Sequence, residues 1–297
     1  IRMIKRIVLY SLLFTSLLSV SAYAGTDDET AYALNTLLFL VSGFLVMLMA
    51  AGFCMLESGM VTSKSVSTIA AKNIGLYSIA GLMFWVIGYN VAYGIPEGGY
   101  IGSFTPWSDA SAIDTGYSDG SDWFFQMVFC ATTVSIVSGT LAERIKIWPF
   151  FLFAAILTGI IYPIEMGWQW GGGWLSAAGF SDFAGSTLVH AAGGAAALAG
   201  AIVLGPRLGR FNNGKLVPFA SSSIPLATLG TFILWFGWFG FNGGSQLALA
   251  GFENATAVAT IYINTNLAAC AGVMTCAVIT RLVNGKTDVI MMLNGAL

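Results

Sequence analysis

The chain contains a single histidine, His190, which lies eight residues after Asp182 in a stretch without other charges. Imidazole can relay a proton or hydrogen-bond a small polar solute near neutral pH. A helix that starts at Asp182 rises about 1.5 Å per residue, which places His190 roughly 12 Å from that end. An ionisable group this deep in an apolar segment favours a functional role. The alternative is a neutral imidazole that only completes a helix contact.

Asp182 itself precedes the start of the same predicted helix. A carboxylate at that point can accept hydrogen bonds from the first backbone N–H groups and complement the positive end of the helix dipole. The same negative charge could instead stabilise a cation at the entrance of a pore. Its position does not separate the two roles, so both stay open.

Three tryptophans, Trp168, Trp170 and Trp174, surround the glycine run 171–173 just before Asp182. Indoles near a helix end are typical of the aromatic belt at a membrane surface. An indole at a pore mouth could also bind a cation through its ring face, for about 0.5–2 kcal/mol. Three phenylalanines could in the same way narrow a path: Phe125, Phe129 and Phe241. The chain has 21 phenylalanines in all, and most of them are expected to face lipid.

The composition places these residues in a membrane. Of the 297 residues, 57% are hydrophobic and 9% charged, and the mean hydropathy is +0.79. Soluble domains carry about 25% charged residues, and the lack of a basic excess disfavours nucleic acid as a partner. The charge-free intervals are 30–56, 73–96, 123–142, 147–164, 183–206, 216–252, 254–280 and 289–297. Since a crossing needs about 20 apolar residues, we predict an all-α polytopic bundle with seven helices and the beginning of an eighth.

The two ends of the sequence suggest processing and truncation. Lys5 and Arg6, an apolar run over 7–18 and the small residues of 22–24 are typical of a secretory signal peptide. We expect cleavage after Ala24, so that residues 1–24 are removed and residues 25–297 form the transmembrane domain. Ile1 and Arg2 precede the plausible initiator Met3. The last nine residues are too short to span, so we expect the domain to be incomplete at its C-terminus.

Charges in the loops predict the orientation, because Lys and Arg collect on the cytoplasmic side. The three loops 95–122, 165–182 and 244–253 contain no Lys or Arg and are predicted to be outside. Eight acidic residues lie in or at these loops. The basic residues fall in the alternate loops, predicted to be inside: Lys64, Lys72, Arg144, Lys146, Arg207, Arg210, Lys215, Arg281 and Lys286. The mature N-terminus would then be outside.

Small residues and cysteines complete the pattern. The stretch 191–200 is almost entirely Ala and Gly, which lets helices pack closely in lipid and leaves room only for a small solute. The four cysteines lie in apolar stretches without CxxC spacing, so we interpret them as buried packing residues.

With no nucleophile, metal cluster or cofactor fingerprint in the sequence, an enzyme is disfavoured and we predict no cofactor.

The segment DFAGSTLVH, from Asp182 to His190, continues to Arg207 as AAGGAAALAGAIVLGPR, and this string resembles the signature of the ammonium transporter family. The resemblance extends over most of the mature chain and is closer to the Amt branch than to the Rh branch. The other matching segments are Met55–Gly59, Gly139–Arg144, Trp170–Gly173, Trp238–Ser245 and Asp288–Gly295.

The resemblance implies a full protein of eleven helices in two inverted halves, a path through each protomer, and a homotrimer in the bacterial inner membrane. Trp170, Phe129 and Ser245 would bind ammonium at the outer end. Phe129 and Phe241 would form a stacked gate, and Asp182 would support the site without touching the ligand. His190 would be the first of two pore histidines that pass ammonia and the proton, its partner lying beyond residue 297. A PII-type cytoplasmic regulator is a further expected partner.

Deprotonation fits the physics of such a path, because a bare ammonium ion cannot enter an apolar pore without a large desolvation cost, whereas ammonia can. Two alternatives remain. One is an ammonium sensor, in which the same site drives a signalling domain. The other is a transporter or channel for another small solute, which variants of Trp170 and Ser245 would discriminate.

Overall fold

The computed structural model describes residues 27–297, so the predicted signal peptide lies outside the described residues. These residues are helical, apart from loops and one two-stranded hairpin, β1 (Phe211–Asn212) and β2 (Lys215–Leu216). The helices, in chain order, are α1 (Asp28–Met60), α2 (Val66–Met83), α3 (Tyr89–Tyr93), α4 (Asp119–Leu141), α5 (Ile147–Ile156), α6 (Tyr162–Gly167), α7 (Trp174–Ala177), α8 (Ala192–Leu204), α9 (Ile224–Gly244), α10 (Phe252–Asn284) and α11 (Val289–Ala296).

Seven spans in residues 27–297 are long and apolar enough to cross a membrane. This confirms the predicted all-α polytopic bundle. A helix satisfies all of its backbone hydrogen bonds internally, as a lipid environment requires. The protein is therefore a multi-pass membrane protein.

Three spans contain a π-helical turn: α2 continues through Phe84–Gly88 into α3, α5 continues through Leu157–Ile161 into α6, and the turn Ser186–Ala191 leads into α8.

The ends of the spans have identifiable causes in the sequence. The Asp27 carboxylate accepts a hydrogen bond from the Thr30 N–H at the start of α1. Ser223 caps α9 in the same way, and a proline sits in the first turn of that helix, where its missing N–H costs nothing. Asp288 caps α11. α9 ends at Gly244, within a segment that contains two consecutive glycines.

Glycines allow the closest helix crossings. A Cβ on Gly59 of α1 would lie 2.5 Å from the Ala227 nitrogen of α9, and one on Gly230 of α9 would lie 2.3 Å from the Leu56 nitrogen of α1. The predicted small-residue stripe of α8 packs on α4, with Gly193 beside Thr133. These contacts fit the rule that small residues let helices approach closely in lipid.

Two details differ from the sequence interpretation. Only Cys130 is buried, whereas Cys54, Cys270 and Cys276 are half-buried. Lys72 does not lie in a loop, because α2 begins at Val66, and its side chain is 4% exposed. A lysine at this depth must have a partner to offset the loss of water.

The loops form two chemically different ends. We call the end with Arg144, Lys146, Arg207, Arg210, Lys215, Arg281 and Lys286 the basic end, and the end with the loops 95–118 and 168–185 the acidic end. The acidic end carries less exposed charge than the eight acidic residues in or at the predicted outer loops suggest. Asp122 and Asp182 are buried, and Glu165 is half-buried.

Candidate functional site

Asp182 organises the start of the span that carries His190. Its Oδ1 accepts hydrogen bonds from the N–H groups of Gly185 and Ser186, at 2.8 and 3.1 Å. Its Oδ2 accepts from those of Thr187 and Leu188, at 2.8 and 2.9 Å. Gly185 has φ +92°, a left-handed conformation that glycine adopts without strain. The structure thus contains the capping arrangement, one of the two roles left open for Asp182.

His190 lies in the π-helical turn Ser186–Ala191 and is half-buried. Its Nδ1 is 3.2 Å from the Gly185 carbonyl oxygen. A carbonyl can only accept, so this hydrogen bond requires the proton on Nδ1 and leaves Nε2 as a free acceptor in the neutral ring. π-helical turns are frequent at functional sites, where they re-aim a side chain.

Aromatic rings form a continuous stack beside the histidine. The Phe129 and Phe241 rings are parallel within 18° and their centroids lie 3.9 Å apart. Trp170 meets Phe129 edge-on at 6.0 Å, and the His190 ring meets Phe241 edge-on at 5.4 Å. The Trp170 Nε1 donates to the Asp182 carbonyl oxygen at 2.8 Å, which sets the position of the indole.

Ser245 joins this group from the end of α9. Its hydroxyl donates to the Phe241 carbonyl oxygen at 2.8 Å, and the residue is buried. Because the hydroxyl proton is used, the oxygen keeps its lone pairs for accepting a hydrogen bond from a ligand.

The structure therefore brings together all six residues to which the family resemblance assigned a role: Phe129, Trp170, Asp182, His190, Phe241 and Ser245. A cavity of about 580 Å³ borders Asp182, His190 and Phe241. The other two tryptophans of the glycine segment lie elsewhere. Trp168 donates from Nε1 to the Tyr100 carbonyl oxygen, and Trp174 stacks on the Tyr100 ring.

Sequence reasoning missed a second polar group, in which Glu57 of α1 meets Lys72 of α2 and Ser138 of α4. Glu57 and Lys72 were treated as boundaries of apolar intervals. A charged residue well inside a segment long enough to form a helix was the signal in the sequence that could have revealed this group.

A third carboxylate lies outside the spans, at the basic end. Glu143 accepts hydrogen bonds from the Thr62 backbone N–H and hydroxyl and from Arg207, whose Nη1 is 2.8 Å from Glu143 Oε2. Partial burial opposes ionisation, but the hydrogen bonds from Thr62 and the charge of Arg207 lower the pKa of the Glu143 carboxyl below its usual value. This group connects three loops.

Comparison with known proteins identifies the family. The profile of the Ammonium Transporter Family matches residues 37–297. The chain is 38% identical over 292 residues to a putative ammonium transporter of Synechocystis sp., with 96% of this chain and 66% of that protein covered. It is 43% identical over 276 residues to the ammonium transporter Amt2 of Archaeoglobus fulgidus, with 86% and 56% covered. The chain thus spans between about half and two thirds of the length of these relatives.

Solved structures agree with this assignment. A protein titled a sensor Amt protein superposes with a TM-score of 0.84 at 34% identity, covering 91% of this chain and 67% of that one. Mep2 of Candida albicans superposes with a TM-score of 0.78 at 28% identity, covering 91% and 60%. With the family profile matching most of its length, the chain belongs to the ammonium transporter family.

Proposed function

We propose that the full-length protein transports ammonium across a membrane, binding it beside the aromatic stack and deprotonating it before conduction. The observation that carries the proposal is the unbroken series of contacts from Trp170 through Phe129 and Phe241 to His190, whose Nε2 is free to accept a proton. The names of the relatives, several of them ammonium transporters, support the choice of solute.

The first step is binding at the acidic end. The rings of Trp170 and Phe129 offer negative faces to a cation, an interaction worth about 0.5–2 kcal/mol depending on desolvation. The Ser245 oxygen, which has lone pairs to spare, accepts a hydrogen bond from ammonium. Asp182 supports this site through the Trp170 indole and the start of the His190 span, while its own oxygens are occupied by backbone N–H groups.

The second step is separation of ammonia from its proton. The stacked rings of Phe129 and Phe241 close the path to an ion with its water shell. Ammonium that gives up its proton becomes neutral and avoids most of the cost of entering an apolar path. His190 takes part in that transfer. Potassium has no proton to lose, so the same path excludes it.

The cellular setting follows from charge and family. The basic end faces the cytoplasm and the acidic end faces outside, as does the N-terminus left by removal of residues 1–24. Residues 25–297 belong to a transmembrane domain of eleven helices that forms homotrimers in a bacterial inner membrane. A PII-type protein is the expected cytoplasmic regulator.

The test is the electrical current of the full-length protein in liposomes after an ammonium jump, with a potassium jump as control. We expect current with ammonium alone, and its loss in His190→Ala. Silence to ammonium from folded protein would contradict transport and favour the sensor alternative. Wild-type current in His190→Ala would contradict the role of the histidine while leaving transport intact.

A further inference from the structure

A second buried charge cluster lies between three spans, away from the aromatic stack. The Lys72 Nζ of α2 is 3.3 Å from Glu57 Oε2 of α1 and donates to the Ser138 carbonyl oxygen of α4 at 2.6 Å. The Ser138 hydroxyl donates to the same Glu57 oxygen at 2.8 Å. One carboxylate oxygen thus receives both a cation and a hydroxyl.

The other oxygen of Glu57 has no such contacts. Oε1 is buried and finds no hydrogen-bond partner among residues 27–297. Glu57, 6% exposed, lines a cavity of about 330 Å³ whose wall also includes Gly139 and Arg207. Leaving a charged oxygen buried without a partner is costly. Oε1 is therefore the atom of the cluster that is left to accept a proton.

The cluster lies farther along the membrane than His190. Gly193 of α8 approaches Thr133 of α4, and Gly200 approaches Leu141, so the two helices run side by side in the same direction. Ser138 follows Phe129 by nine residues in α4, which is about 13 Å of helix toward the basic end. Glu57, bonded to Ser138, therefore lies between the level of His190 and the basic end.

We propose that Glu57 is a proton acceptor on the basic-end side of His190, with Lys72 and Ser138 as its positioning residues. The inference rests on the proposed function, which supplies the proton. Ammonium gives its proton to His190 Nε2 and becomes ammonia. The proton then passes through water to Glu57 Oε1, where an O–H bond forms, and leaves to water at the basic end, which restores the neutral imidazole and the carboxylate. No oxidant or other reactant is needed. Lys72 stays protonated throughout and holds the carboxyl group in place through Oε2.

The experiment uses full-length protein in liposomes and the current after an ammonium jump. Glu57→Gln together with Lys72→Gln removes both charges, so neither is left unpaired. We expect this pair of substitutions to lower the current at least tenfold. Glu57→Asp keeps the carboxylate and is expected to keep most of the current. Thr132→Val serves as a matched control, since that buried hydroxyl of α4 bonds only to its own helix at Val128.

The outcomes separate this inference from the proposed function. Wild-type current in the doubly substituted protein would overturn the acceptor role alone, and equal losses in Glu57→Asp and the double variant would indicate a structural pair. Silence of the wild-type protein would overturn the proposed function itself.

A second measurement does not depend on whether the double variant folds. Infrared difference spectra of wild-type protein should gain a protonated-carboxyl band on ammonium addition. That band should shift in Glu57→Asp. Its absence, or a band that does not move, would refute proton transfer to Glu57.

Discussion

Asp182 and Glu57 are both carboxylates buried within the bundle, but their surroundings differ. All the hydrogen bonds of Asp182 come from the same short segment, where four backbone N–H groups share its two oxygens. Glu57 receives its contacts from two other helices, on one oxygen only. Both oxygens of Asp182 are occupied by donors, whereas Glu57, which lines a cavity, keeps one oxygen without a partner among residues 27–297.

The difference shows how hydrogen-bond saturation separates a structural carboxylate from one available for chemistry. A carboxylate saturated by backbone donors stabilises the conformation of those donors and has little left for a ligand. One with a free oxygen can accept a proton or a donor. By this criterion Asp182 acts through Trp170 and the start of its helix, and Glu57 can act directly.

The largest effect is expected for the ion pair. Lys72→Gln alone leaves Glu57 charged without its cation and should lower the free energy of unfolding by about 3–5 kcal/mol. Adding Glu57→Gln should recover most of that loss, because no charge is then buried alone. Denaturant unfolding of the single and double variants in detergent measures the coupling. Additive losses would show that the two side chains do not stabilise each other.

Asp182 should show a smaller loss of stability but a large loss of function. Asp182→Ala leaves four N–H groups unsatisfied and should cost about 1–2 kcal/mol, as for other helix caps. The ammonium-jump current should disappear, because the segment that precedes His190 loses its hydrogen bonds to the carboxylate, and the Asp182 backbone carbonyl that holds the Trp170 indole shifts with it. Asp182→Asn is the matched control. Its amide oxygen still accepts two of the bonds, so intermediate values are expected, and an alanine variant with normal current would contradict the positioning role.

The selectivity for ammonium over potassium tests whether the stacked rings near Asp182 are what excludes potassium. Phe241→Leu keeps most of the side-chain volume but removes the ring stacked on Phe129. We expect little change in stability and a small potassium current beside the ammonium current. Phe236→Leu on the same helix is the control, since that ring is 50% exposed on the surface of the bundle. A wholly ammonium-selective Phe241 variant would place exclusion elsewhere.

Glu143 extends the comparison to a carboxylate outside the spans. Replacing it should have the smallest effect of these substitutions, a pH-dependent change in stability. Because its folded pKa is below its ordinary value of 4.5, its contribution is fully present above that pH. The contribution is lost as the pH falls through the lower folded pKa. The Glu143 side chain is 11% exposed and that of Arg207 is 25% exposed, so solvent screens the pair in part and the change should be about 1 kcal/mol. Acid unfolding of Glu143→Gln beside wild type measures it, and identical profiles would count against the Arg207 pairing.

Local patterns in the sequence were enough to predict one half of this comparison. The charge-free intervals predicted the seven spans, because only a helix satisfies the backbone in lipid. The capping position of Asp182 follows from its place just before an apolar segment. The predicted depth of His190 was wrong, because the span begins at Ser186 and not at Asp182, so the histidine lies only four residues into it. The family signature singled out Trp170, Phe129, Phe241 and Ser245, which the fold brings together.

The other half of the comparison, the surroundings of Glu57, could be seen only in the folded chain. Glu57, Lys72 and Ser138 are separated by up to 81 residues and lie on three different helices. Their meeting depends on how those helices are rotated and how deeply they pack, which close glycine contacts decide. No repeat in the sequence encodes that depth, so Lys72 was expected in a loop.

The sequence by itself determined that this is a polytopic helical membrane protein of the ammonium transporter family, with a histidine in an apolar span. Those properties depend on composition, helix periodicity and short motifs, all of which act locally. Only the tertiary structure decided which side chains are saturated and which keep a free atom. That distinction depends on the relative placement of separate helices, and it separates the roles of the two buried carboxylates.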